Sequence, residues 1–240
     1  MNRKFFGDTR DLFKLDLVCH IMKNLPELDS FTFVPMLTED DKTPGRRKSV
    51  KTDLGKAEKN GKAGSKNKDL IAQMARLQEI DDDTEYFRGI QSLFKKQNTL
   101  MIVFDQPRFS HENRTHYFNT LLEKFPDRSL IFLDPDIGLE VKNPTRRHLL
   151  LEEVRKIHER MDMHSFIMIY QHIPRVIRPG YIRNRCDQLA SVAGISPISI
   201  TDNEIVFFLL SKNPALKTNL EVVLGEYMSH YPVLSAFGEW

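Results

Sequence analysis

The densest run of groups able to do chemistry is LDPDIGLEVK, residues 133–142, with the carboxylates Asp134, Asp136 and Glu140 and then the cation Lys142. Pro135 withholds a backbone donor and stiffens the turn, while Gly138 permits a sharp reversal or close approach to a ligand. Carboxylates so spaced suit a hard cation such as Mg²⁺ or the polar edge of a substrate. Equally, an Asp-Pro loop of this kind caps its own helix through side-chain hydrogen bonds. A second polar group is Tyr170-Gln171-His172. His172 there serves as a general base, a metal ligand or a satisfied structural histidine, and Gln171 suits hydrogen bonding to a base or ribose. A third is Asp105-Gln106, and a fourth is Glu39-Asp40-Asp41. The other histidines are unclustered, and no nucleophile elbow or phosphate-cradling glycine loop is present in the sequence.

Charge is distributed unevenly. Residues 42–68 hold ten basic residues, Arg46, Arg47 and Lys48 among them, against the acids Asp53 and Glu58. That segment carries +8 in a chain whose total is +2, so the remainder sums to −6. Its cations suit a polynucleotide backbone, and without an aromatic residue between Lys42 and Lys68 it has nothing to stack on bases. A solvated flexible insertion has the same composition.

These groups need elements to position them. An apolar periodicity over 12–25, opened by Gly7-Asp8-Thr9-Arg10-Asp11, predicts an amphipathic helix with Asp8 or Thr9 as N-cap. Asp8, Arg10 and Asp11 there cap the helix and pair with its charges, or line a site if the helix folds over a sheet rim. SFTFVPML (30–37) predicts a strand, with Pro35 at an edge or at the strand's end. Residues 39–68 read as a basic flexible loop. Helices are expected over 69–77 and 84–96, then unalternating apolar strands at 99–104, 129–133 and 165–169 with helices over 112–125, 145–160 and 181–193 between and after them. Strands at 198–200 and 205–210 flank Asp202-Asn203 too closely for a crossover and must form an antiparallel hairpin; a helix over 216–231 follows.

Strands of this kind separated by helices imply a three-layer α/β/α domain over 1–240, its sheet mostly parallel with a C-terminal hairpin. In such sheets ligands bind beyond the carboxyl ends of the strands, so the four polar groups should open onto one rim.

From Thr99 onward, the strand–helix order, Asp134-Pro135-Asp136 after a strand and the terminal hairpin ISPISITDNEIVFFLLSK resemble Rossmann-like S-adenosylmethionine methyltransferases. Bacterial proteins of the three-Cys-motif partner family have a similar shape. In the methyltransferases, (Asp/Asn)-Pro-Pro-aromatic holds the amino group to be methylated; the first two positions match here and the rest depart. The resemblance implies S-adenosylmethionine as cofactor, with Glu39, Asp105 or Gln106 at the cofactor and Asp134 at the target amino group. It also implies a glycine-rich turn after the first strand, where this chain has Leu37-Thr38-Glu39-Asp40-Asp41 and no glycine before Gly45. One of the usual seven strands is not evident either.

Three functions follow. The first is a methyltransferase-like protein acting on nucleic acid, with Asp134, Asp136, Glu140 and His172 catalytic and Gln171, Arg46, Arg47 and Lys48 holding substrate. The second is a binding or protein-partner module that keeps the fold without the chemistry. The third is a Mg²⁺-dependent nuclease using Asp136, Glu140 and Lys142, although three intervening residues are few for that signature. No apolar run spans a bilayer, the N-terminus meets charge too early for a secretory signal, and Cys19 and Cys186 fit reduced, mostly buried thiols in a cytoplasmic protein.

Overall fold

A computed structural model describes residues 6–38, 54–105 and 107–237. Glu39, Arg46, Arg47, Lys48 and Gln106 therefore lie outside the described residues. In chain order the elements are α1 (Thr9–Asn24), β1 (Ser30–Val34), α2 (Leu54–Lys59), α3 (Lys68–Leu77), α4 (Asp83–Lys96), β2 (Leu100–Val103), α5 (Arg114–Lys124) and β3 (Ser129–Leu133). There follow β4 (Gly138–Leu139), β5 (His148–Leu149), α6 (Leu151–Arg160), β6 (Phe166–His172), α7 (Arg178–Ala193), β7 (Ile198–Thr201), β8 (Ile205–Leu210), α8 (Pro214–His230) and β9 (Ser235–Phe237).

The main sheet has the order β2-β1-β3-β6-β8-β7-β9. Strands β2, β1, β3 and β6 are parallel, and the β7–β8 hairpin joins them with β8 antiparallel to β6. Successive side chains along a strand point to opposite faces, and here both faces are covered. Phe31, Phe33, Phe132, Met168 and Phe207 pack against α1, α3, α4 and α8 on one face. Val34, Ile131, Leu133, Ile169 and Phe208 pack against α5, α6 and α7 on the other. The result is the expected three-layer α/β/α architecture.

Several expectations are corrected. Pro35 does mark a strand end, but β1 lies inside the sheet between β2 and β3. One edge strand is β2, which leaves Leu100 60% exposed rather than buried. Strand β6 does not stop before Tyr170; it runs on through Gln171 and His172, because these pair with Val206 and Ile205 of β8. The helix expected from 145 begins at Leu151, since His148 and Leu149 form β5 and pair with β4. A further strand, β9, covers β7.

The expected loop over 39–68 is also folded in its second half. Leu54 and Ala57 of α2 and the following Ala63 are buried in the core that α1, α3, α4 and α8 form on one face of the sheet. At Gly64 (φ +83°) the chain passes so close to α1 that a Cβ would stand 2.8 Å from the Leu12 carbonyl oxygen. Asp16 of α1 fastens this region from below, accepting hydrogen bonds from Asn67, Tyr227 and Tyr231 at 2.8–3.0 Å.

Candidate functional site at the strand-end rim

The parallel strands deliver their carboxyl ends to one rim, and the N-terminal turns of α1 reach it. Asp8 caps α1, its side chain accepting from the backbone N–H groups of Arg10 and Asp11. Asp11 and Lys14 stand one turn apart and so share a helix face. That face is buried: Lys14 Nζ sits 2.9 Å from Asp134 Oδ2 and 3.1 Å from Asp11 Oδ1, and 4.3 Å from the centroid of the Tyr170 ring. The other Asp11 oxygen accepts from the Gly7 N–H at 2.9 Å and from the Tyr86 hydroxyl at 3.0 Å. The polar start of the first helix thus both caps it and reaches the rim.

Burial disfavours the Lys14 ammonium, but the carboxylates of Asp134 and then Asp11 outweigh it and raise its pKa. Burial, reinforced by Asp11, pushes the Asp8 carboxyl up to about 6. Burial likewise raises the Tyr170 phenol to about 12 against the pull of Lys14. Asp134, expected to meet a substrate amino group, is thus 1% exposed and engaged by an ammonium from its own chain.

The rest of the Asp134–Glu140 turn is likewise engaged. Asp136 pairs with Arg147 at 2.5 Å. Glu140 accepts from the Leu151 N–H at 3.2 Å, at the N-terminus of α6. Gln171 accepts from the Leu139 N–H at 2.8 Å and donates to the His172 carbonyl at 2.7 Å. Gly138 makes this possible: its φ is +127°, and a Cβ there would stand 2.4 Å from the Gln171 amide oxygen. The loop-capping alternative describes these side chains better than a cluster of open acids. Among the described residues no three His, Cys, Asp or Glu side chains converge to hold a metal.

Beside this turn, at the end of β6, lies a cleft of about 740 Å³ lined by Arg10, His172, Arg175, Arg178, Asn203, Glu204 and residues 173–177. His172 is half-buried, and its Nδ1 has no hydrogen-bond partner among the described residues. Burial and then Arg10 lower its pKa, with Glu204 opposing, so the imidazole is neutral near pH 7. Glu204 also pairs with Lys62, 2.5 Å away, which draws the folded part of the basic segment to this side of the rim. Arg175 and Arg178 are exposed and make no ion pair among the described residues. The N-cap of α7 is Ile177, which offers no side-chain acceptor to the helix start.

Of the other expected site residues, Asp105 is half-buried just beyond β2. The segments after β1 and β2 are tied there by a bridge between Thr38 and Phe109 and by a Phe109 N–H to Leu37 carbonyl bond of 2.9 Å. Glu39, Gln106, Arg46, Arg47 and Lys48 fall outside the described residues. The structure therefore brings Asp134, Gln171 and His172 to one rim, with the first two held internally. Sequence reasoning missed Lys14, Arg175 and Arg178. A lysine among the apolar residues LFKLDL was one signal, and two arginines bracketing Val-Ile directly after a strand were the other. Comparison with protein-family models, curated proteins and solved structures finds no match.

Proposed function

We propose that this protein binds nucleic acid through its phosphate backbone, at the cleft beyond β6, as a binding module on a Rossmann-like sheet. One observation carries the reading: Arg10, Arg175 and Arg178 line a single cleft with His172, while the carboxylates in and beside it, Glu204, Asp134 and Asp136, pair with Lys62, Lys14 and Arg147. Guanidinium groups bind phosphates in bidentate fashion, and a concave, cationic surface concentrates a polyanion. Lys62 offsets Glu204 at the cleft, and the sequence carries further cations at Arg46, Arg47 and Lys48.

The test is fluorescence anisotropy with end-labelled duplexes over a potassium chloride series. Each phosphate neutralised contributes a slope of about −0.9 to log K against log salt, so Arg175→Ala/Arg178→Ala should flatten it by about 1.8. Between about 50 and 200 mM salt, the wild-type advantage should then shrink roughly twelvefold. Identical slopes for the two proteins would place the phosphates elsewhere.

The methyl-transfer reading has support in the strand order, with parallel strands completed by a hairpin whose β8 joins β6 antiparallel. Yet the described residues do not fit S-adenosylmethionine in the way the resemblance implies. The turn after β1 has no glycine before Gly45, Asp105 stands half-buried beyond β2, and Lys14 holds Asp134. No methyl-transfer step is derived. Heat on calorimetric titration with S-adenosylmethionine, abolished by Asp105→Ala, would favour that reading over the binding module.

A further inference from the structure

We propose that Val176 and Ile177 form an apolar wedge that enters the base stack of duplex nucleic acid held at the adjoining cleft. The inference rests on the phosphate-binding reading above and adds what the loop does to the bound duplex. Ile177 is 84% exposed and Val176 51%, and no other large apolar side chain among the described residues is as exposed as Ile177. An aliphatic pair left in water gains free energy on meeting an apolar partner surface.

The loop is built to present this pair. Ile173 is buried at its base and its N–H bonds the Glu204 carbonyl at 3.1 Å. Pro174 and Pro179 restrict the backbone on either side, and the Val176 N–H closes a tight turn onto the Pro174 carbonyl at 2.8 Å. A tip stiffened in this way loses little conformational entropy on insertion.

Its flanks define the partner. Arg175 and Arg178 bracket the two apolar residues, so a surface that accepts the tip must be apolar at its centre and anionic on both sides. A base step between two phosphodiester strands has that pattern, and aliphatic side chains inserted at such steps unstack them and kink the duplex. Single strands are usually held by stacking on exposed aromatic rings. Among the described residues that line this cleft there is no Phe, Tyr or Trp. Two aliphatic side chains also offer little area for anchoring to a bilayer, where stable attachment takes a larger apolar face.

The experiment uses short duplexes carrying 2-aminopurine at pyrimidine–purine steps, where unstacking is easiest, titrated with the full chain at low salt. The wild type should raise 2-aminopurine fluorescence by about twofold or more as it saturates the duplex, and end-to-end energy transfer should report a kink of roughly 20–90°. Ile177→Ala should lose most of both signals while keeping the salt slope that the arginines set. Ile177 gives α7 no side-chain cap, so circular dichroism should show the variant folded. A wild type that binds duplex with no fluorescence change, or an Ile177→Ala variant with the full change, would overturn the wedge and leave phosphate binding standing. Ile177-dependent sedimentation with phosphatidylserine vesicles, without any 2-aminopurine response, would reassign the tip to membranes and overturn it too. Absence of duplex binding by the wild type would overturn both readings.

Discussion

Replacing Lys14 by methionine isolates the buried ion group at the rim. Methionine keeps an unbranched stem of similar length and removes the ammonium that lies 2.9 Å from Asp134 and 3.1 Å from Asp11. Two buried carboxylates then lose the ammonium that stands between them. Removing one partner of a buried pair costs about 3–5 kcal/mol, most of it the penalty on the charge left behind. With an unfolding entropy of about 2.1 cal/mol/K per residue over 240 residues, each kcal/mol moves Tm by about 2 °C, so the expected loss is roughly 6–10 °C. The pH dependence has a definite sign. Because the folded pKa of Lys14 is raised, its contribution in the wild type is complete below the unfolded lysine value and is lost only as pH rises through the higher folded one. In the variant, Asp134, whose carboxyl burial already raises, loses the ammonium that holds it down, so it takes up a proton more readily and the deficit should narrow as pH falls. Adding Asp11→Asn and Asp134→Asn should recover much of the loss, since neutral groups leave no buried charge. Thermal melts followed by circular dichroism at several pH values measure all of this. A single-variant loss below about 1 kcal/mol, unchanged with pH, would refute the idea that Lys14 compensates buried acids.

Three further outcomes are expected. Asp8, with its folded pKa raised to about 6, contributes stability that is complete below about pH 4 and lost as pH rises through 6; Asp8→Asn keeps the cap oxygen and should flatten that part of the Tm–pH curve. Gly138→Ala places a side chain at φ +127° against the Gln171 amide and should cost about 1–3 kcal/mol in thermal melts. Arg46→Ala/Arg47→Ala/Lys48→Ala should flatten the salt slope of duplex binding by up to about 2.7, measured by anisotropy. Substitution is the right perturbation there, because deleting 44–66 would also remove Leu54, Ala57 and Ala63 from the core.

Much of the sheet was legible because strands buried on both faces read as unbroken apolar runs. SLIFL at 129–133 matches β3 residue for residue, and the hairpin at Asp202-Asn203 follows from spacing alone. The end of β6 was not legible, since Gln171 and His172 become strand only through pairing with β8, more than thirty residues later. Nor was α2, whose few apolar side chains are diluted by lysine and whose close packing depends on Gly64. The candidate site was half legible. Its strand-end acids were visible as types, but their state was not: Asp134 and Lys14 lie 120 residues apart, and only the fold shows that one neutralises the other. A polar turn looks the same in sequence whether its carboxylates face a ligand or its own backbone. The arginines at the cleft gave no periodic signal because they sit at a loop and at a helix start.

The two margins of the main sheet have a consequence for behaviour at high concentration. Strand β2 is four residues long and β9 three, and between them lie strands rich in phenylalanine and isoleucine. So few open backbone groups give an incoming chain little to zip onto. Losing β9 would bare β7 and turn a guarded border into a template for fibrous growth, so mutations there should first be noticed as turbidity, ahead of any change in binding.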